Sequence, residues 1–184
     1  MSDFSPNNTR TTWRNGEPTA ATPHALDPWL HPELYHGVLT RRLFAFLIDL
    51  VVLSLPVIAA VVFIALFGIV TLGLGWSLFW LMSPATVVWP VVYYGMSLGG
   101  RHSATVGMRM MDLQMRTHSG TPGYFLLGAM HAVLFWASVS FLTPFVVLVG
   151  LFNARRQLLH DMVLGTVVVN ASVRSQMAQA AQTY

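Results

Sequence analysis

Three stretches in which apolar positions follow one another almost without interruption dominate the chain: residues 43–70, 78–98 and 124–152, of 28, 21 and 29 residues. Neither the 3.6-residue alternation of a surface helix nor the two-residue alternation of a half-buried strand runs through them, so each reads as a helix apolar on all sides. A bilayer core of about 30 Å takes about 20 helical residues, which makes the first two runs membrane crossings. The third is long enough for about 44 Å of helix and is punctuated by Ser138, Ser140, Thr143 and Pro144. It reads either as a hairpin breaking near Ser140 to Pro144 or as a single tilted crossing. Between and after the runs the pattern changes. From Met110 to Arg116, Met111, Leu113 and Met115 alternate with Asp112, Gln114 and Arg116, and residues 165–173 carry the β-branched series Thr166, Val167, Val168, Val169. Both segments are strand-like, and an isolated strand is marginal in water, so the two are expected to pair into a small ribbon.

The expected fold is therefore an all-α integral membrane protein, a helical transmembrane bundle with a short cytoplasmic β element. Residues 1–36 are rich in Pro, Thr and Asn, contain no apolar run and read as a polar, mostly disordered tail; residues 37–173 form the membrane domain and 174–184 a carboxyl-terminal tail. The first apolar run begins too late and is too long for a secretory signal.

Composition sharpens this picture. Of 184 residues 54% are hydrophobic and only 9% charged, far below the roughly 25% of soluble domains. All ten basic residues are Arg, against five Asp and two Glu. Arg41 and Arg42 precede run one, Arg101, Arg109 and Arg116 lie between runs two and three, and Arg155 and Arg156 follow run three, whereas the 71–77 connection is uncharged. The positive-inside rule then places the amino terminus, the 99–123 loop and the carboxyl end in the cytoplasm, and a bacterial inner (plasma) membrane is the expected location. No basic run is interleaved with aromatics, which argues against nucleic acid. The chain has no Cys, hence no disulfide, thiolate nucleophile or thiolate metal site. No catalytic constellation or cofactor fingerprint can be assembled, so neither an enzyme nor a cofactor is expected.

The ionisable residues inside and beside the apolar runs are where chemistry can live. Asp49 is the one charge in run one; at mid-membrane a carboxylate costs roughly 2.5 to 3.5 kcal/mol, so it needs a partner or a wet cavity. If the crossing starts after it, Asp49 is instead a structural residue at the interface. Arg42 precedes it by seven residues on the same helical face but leans the other way, which leaves other Arg residues as candidate partners. His131 lies within run three and could relay protons or simply pack. His160 and Asp161 are adjacent in sequence and do not face one another on a helix, so no metal site is expected there. Pro56, Pro84, Pro90 and Pro144 interrupt the runs, as Pro often does in membrane helices without further role.

Three segments together resemble the RDD family of membrane proteins, named for one Arg and two Asp: Arg42-Leu-Phe-Ala-Phe-Leu-Ile-Asp49, Ala104-Thr105-Val-Gly107-Met-Arg109 followed by Asp112, and Leu159-His160-Asp161-Met-Val-Leu-Gly165-Thr166-Val-Val168. The resemblance covers about residues 36–170. It implies that Arg42, Asp49 and Asp161 form the transport or charge cluster, with Arg109, Asp112, His131 and His160 as secondary candidates. It also implies transport of an unidentified ligand, with proton-coupled cation exchange the suggested activity. Met108 stands where the family usually has Lys, and the Arg expected early in the third run is missing or replaced by His131. Since three apolar runs hardly enclose a pathway, a homo-oligomer in the bilayer is expected, with a small cation or proton as ligand. The alternative is a non-transporting scaffold or accessory subunit in which the Arg and Asp residues dock the ribbon onto the helices.

Overall fold

The computed structural model describes residues 13–14, 17–18 and 26–182. The remainder of the tail expected over residues 1–36 lies outside the described residues. In order, the chain forms two short strands, β1 (Trp13–Arg14) and β2 (Glu17–Pro18), a 3-10 turn (Pro32–Tyr35), and then helix α1 (Val38–Val70). Helix α2 (Phe79–Leu98), the short α3 (Val106–Met110) and strand β3 (Leu113–Thr117) follow. Helix α4 (Phe125–Phe152), the short α5 (Leu159–Leu164), strand β4 (Thr166–Asn170) and α6 (Ala171–Gln182) complete it. The fold is thus mostly helical. Helices α1 and α2 are long and apolar enough to cross a membrane, and they run unbroken through Pro56 and through Pro84 and Pro90. Their outward faces carry large exposed apolar side chains, among them Leu55, Ile58, Phe63, Val87 and Val88. Such a surface is at home in lipid tails or against another apolar face.

The two strand-like segments do pair. β3 and β4 are antiparallel, with Leu113 opposite Asn170 and Thr117 opposite Thr166. Because β3 precedes α4 and β4 follows it, α4 must begin and end on the same side of any membrane. Its packing agrees. His131 lies against Asp161, while Gly150 lies against Leu158, only three residues before Asp161, and against Leu39 at the start of α1. In a straight helix positions 131 and 150 would be about 28 Å apart, more than this chain of contacts can span, so α4 bends back. The third run is one helical element, and its return to the sheet side follows the hairpin reading in direction without splitting into two helices.

Every residue of β4 is buried, which a ribbon open to solvent would not allow. Val168 joins Leu113 and Met115 in the core against Val38, Ala45 and Leu98. On the opposite face Val167 and Val169 pack with Leu26, Leu34 and Tyr35, and Val173 and Met177 of α6 complete this second, smaller core. Residues 26–36, polar as a group, therefore fold over the ribbon; Tyr35 donates its hydroxyl to the Leu26 carbonyl at 2.8 Å, and burial raises the phenol to about 12. Asn170 ties the layers together, donating to the Glu33 and His36 carbonyls and accepting from Arg41. The segment taken from its composition as a terminal tail, residues 174–184, is helical through Gln182.

Candidate functional site

The two buried carboxylates of the membrane domain sit in different surroundings. Asp49 projects from α1 and is 3% exposed. Its Oδ1 accepts the Tyr93 hydroxyl at 2.6 Å and the Gly107 amide at 2.8 Å, and its Oδ2 accepts the Thr105 hydroxyl at 2.5 Å. All three donors are neutral. Thr105 also caps α3, accepting the Met108 amide at 3.1 Å, and the Tyr93 oxygen accepts the Val106 amide. Position 107 has to be Gly, since a Cβ there would come 2.0 Å from the Ala45 carbonyl oxygen. One carboxylate thus fastens α3 to α1 and α2, and the Ala104-Thr105-Val-Gly107 segment is the complementary half of this lock.

Asp161 lies on α5 and is fully buried. Its Oδ2 accepts the Leu158 amide at 3.0 Å, in the first turn of the helix where a carboxylate is favoured, and stands 2.5 Å from Arg42 Nη1. That contact is an ion pair of hydrogen-bond length, and it helps to keep the carboxylate ionised. The other oxygen, Oδ1, is 3.7 Å from His131 Nδ1 and 3.6 Å from His160 Nε2. The two imidazoles meet edge to face with centroids 4.7 Å apart, and Phe135 packs edge-on against His160. The His160 Nδ1 lies 3.5 Å from the Ser138 hydroxyl. Among the described residues, His131 Nδ1, His160 Nε2 and Asp161 Oδ1 are buried without a hydrogen-bond partner.

The electrostatics follow from this enclosure. Burial pushes the His160 imidazole down to about 3, outweighing the pull of Asp161, so the ring is neutral at physiological pH. For Asp161 burial alone acts upward, but Arg42 first, then His160 and His131, hold it well below the usual carboxylate range. The cluster is thus an ionised Arg–Asp pair faced by a neutral imidazole.

Of the three residues that the resemblance groups into one cluster, Arg42 and Asp161 are in contact, whereas Asp49, two helical turns further along α1, takes separate partners. Of the secondary candidates, His131 and His160 join Asp161, whereas Arg109 and Asp112 do not. Arg109 donates from Nε to the Ala104 carbonyl at 3.1 Å. Asp112 starts α6, accepting the Ser172 amide at 3.0 Å and the Ser172 hydroxyl, with Arg41 3.6 Å away. The sequence singles out His131 by its place in the third run, but no local pattern links it to a pair 29 positions later. Only the bend of α4 supplies the ligand-like neighbour that the adjacent His160 and Asp161 lack between themselves.

The sequence model of the RDD family matches residues 37–165, from the start of α1 to the glycine that ends α5. No curated protein and no solved structure matches the chain. The matched span includes both carboxylates, the Arg42 pair and both histidines.

Proposed function

From the premise that the chain belongs to the RDD family of membrane proteins, we propose that it is a proton-coupled transporter of a small cation whose exchange site is the Arg42–Asp161–His131–His160 cluster. The observation behind this is the clustering of four ionisable side chains around three buried atoms that have no partner. Ionisable groups against a membrane domain are costly, and unsatisfied ones more so, which favours a role in handling charge over packing alone. The 33 residues of α1 extend about 50 Å against a core of about 30 Å, so its first turns, Arg42 included, project at the membrane edge. The Arg residues flanking the apolar runs support a cytoplasmic position for that edge. A pathway walled by two crossings and a bent helix needs further walls, for which the exposed faces of α1 and α2 suit a second copy.

The scaffold reading has one observation in its favour: Asp49, with three neutral donors and no ion pair among the described residues, is arranged as a brace. In the reading preferred here Asp49 holds the site's frame and the Asp161 cluster exchanges. Proton movement driven by Na⁺, K⁺, Li⁺ or Zn²⁺ in proteoliposomes tests this: wild type is expected to support flux with one of them, and a folded His160→Phe variant to lose it. Absence of flux with all four would remove the transport reading. With no native Cys, single cysteines at Ser119, Arg174 and Leu72 test the topology. The first two should label from the cytoplasm and the third from the opposite side.

A further inference from the structure

The three unpartnered atoms of the cluster are of the kinds that bind metal: two imidazole nitrogens and a carboxylate oxygen, all within 4.8 Å of one another. They come from two elements, His131 from α4 and His160 with Asp161 from α5, and their residues are at most 8% exposed. None is used to hold the fold through a hydrogen bond. We infer that His131 Nδ1, His160 Nε2 and Asp161 Oδ1 form a binding site for a transition-metal dication with the chemistry of Zn²⁺, leaving a fourth position open to solvent or an entering group. This names the cargo of the exchange site proposed above. For transport it rests on that reading; for binding it does not.

The donor set decides the class of ion. Neutral imidazole suits Zn²⁺, Co²⁺, Ni²⁺ and Cu²⁺, whereas Mg²⁺ and Ca²⁺ take oxygen ligands. Alkali ions lack the affinity for nitrogen that would favour two histidines. A tetrahedral ion with bonds of about 2.0 to 2.1 Å holds its ligand atoms about 3.3 Å apart. The separations of 3.7 and 3.6 Å to Asp161 Oδ1 are a few tenths of an ångström from this, whereas the two imidazole nitrogens, within 4.8 Å of each other, have to close further by rotation of their side chains around the ion. The surrounding contacts fit a ligand set as well. Ser138 lies beside the far nitrogen of His160, and the Leu158 amide and Arg42 hold the far oxygen of Asp161, so these two groups are oriented from behind. Arg42 also limits affinity, since its positive charge shares the carboxylate with the ion. A site of two neutral donors and a shared carboxylate is one that a cargo can leave.

A buried water could satisfy the same three atoms, and Co²⁺ titration separates the alternatives. Tetrahedral Co²⁺ bound by nitrogen and oxygen absorbs in the visible region, so the purified protein in detergent can be titrated with Co²⁺ directly, with Zn²⁺ as competitor. The expected result is one saturable Co²⁺ site per chain, displaced by Zn²⁺ and not by Mg²⁺. His131→Phe and His160→Phe each keep a ring and remove the ligand atom; each should weaken binding by roughly tenfold or more while the thermal midpoint confirms a folded protein. Wild-type binding no tighter than that of the folded His131→Phe/His160→Phe double variant would overturn the site in favour of water. Flux of a monovalent cation together with no Co²⁺ binding would overturn the metal site and leave the transport reading standing. Saturable Co²⁺ binding with no flux of any cation would sustain the site and remove the transport reading.

Discussion

Asp49 and Asp161 are both buried carboxylates facing the same end of α1, and their partners divide the work between them. Around Asp49 every donor is neutral, every contact is a directed hydrogen bond, and the result is a closed joint between α1, α2 and α3. Around Asp161 the nearest partner is a cation, one oxygen faces two imidazole nitrogens at non-bonding distance, and hydrogen bonds are left unmade. A buried charge can be stabilised by either route, but only the second leaves room for an exchange of partners. The comparison also shows why one Arg and two Asp in a sequence need not make one site: seven residues along α1 are enough to put Arg42 and Asp49 in different neighbourhoods.

The contrast is most exposed to removing charge. Asp161→Asn leaves Arg42 buried without its counter-charge, and the expected loss is about 3 to 5 kcal/mol, read as a lowered thermal midpoint in detergent. Arg42→Met combined with Asp161→Leu should recover much of it, because a buried pair replaced by apolar groups is often nearly neutral. Asp49→Asn should cost less, about 1 to 3 kcal/mol, since the amide oxygen still accepts from Tyr93 or Gly107 and only part of the lock is lost. Equal losses at the two positions would erase the distinction drawn between them.

Acid should act on one site more than on the other. His160 is neutral when folded, with a value of about 3 against 6.5 for the free group. Between those values the unfolded chain binds the extra proton, so stability falls as pH drops below about 6.5, by about 1.4 kcal/mol per unit. A decline from pH 6.5 to 5 of roughly 2 kcal/mol is expected in wild type and should be reduced in His160→Phe. Asp161, held low, adds a loss of the same sign only below the ordinary carboxylate value near 3.8. The smallest effect is expected at the α6 cap, where Asp112→Ala should cost about 1 kcal/mol without altering metal binding or flux.

Much of this architecture can be read from the chain because its physical causes are local. Twenty or more apolar residues without charge leave few alternatives to a membrane helix, and the β-branched run at Thr166 to Val169 together with alternation after Met110 predicts the ribbon. What local pattern does not contain is the cover on that ribbon. The run Val167-Val168-Val169 is apolar on both faces, which requires a second layer, but nothing in the run says which segment supplies it; Leu26, Leu34 and Tyr35 do so in the fold. The Asp161 cluster is harder to foresee. Arg42 and Asp161 could be connected through the family resemblance, but His131 reaches them only because α4 returns to the sheet side, a property of the whole fold. Asp49 illustrates the opposite case, since its conspicuous charge suggested chemistry while its actual partners, Tyr93, Thr105 and Gly107, carry none.

The most direct test of this division is proton flux measured in proteoliposomes containing wild type, Asp49→Asn or His131→Phe/His160→Phe, each normalised to folded protein. The account predicts flux per folded molecule close to wild type for Asp49→Asn, and little or none for the double histidine variant. Full flux in the histidine variant beside its loss in well-folded Asp49→Asn would contradict it and return the transporting carboxylate to α1.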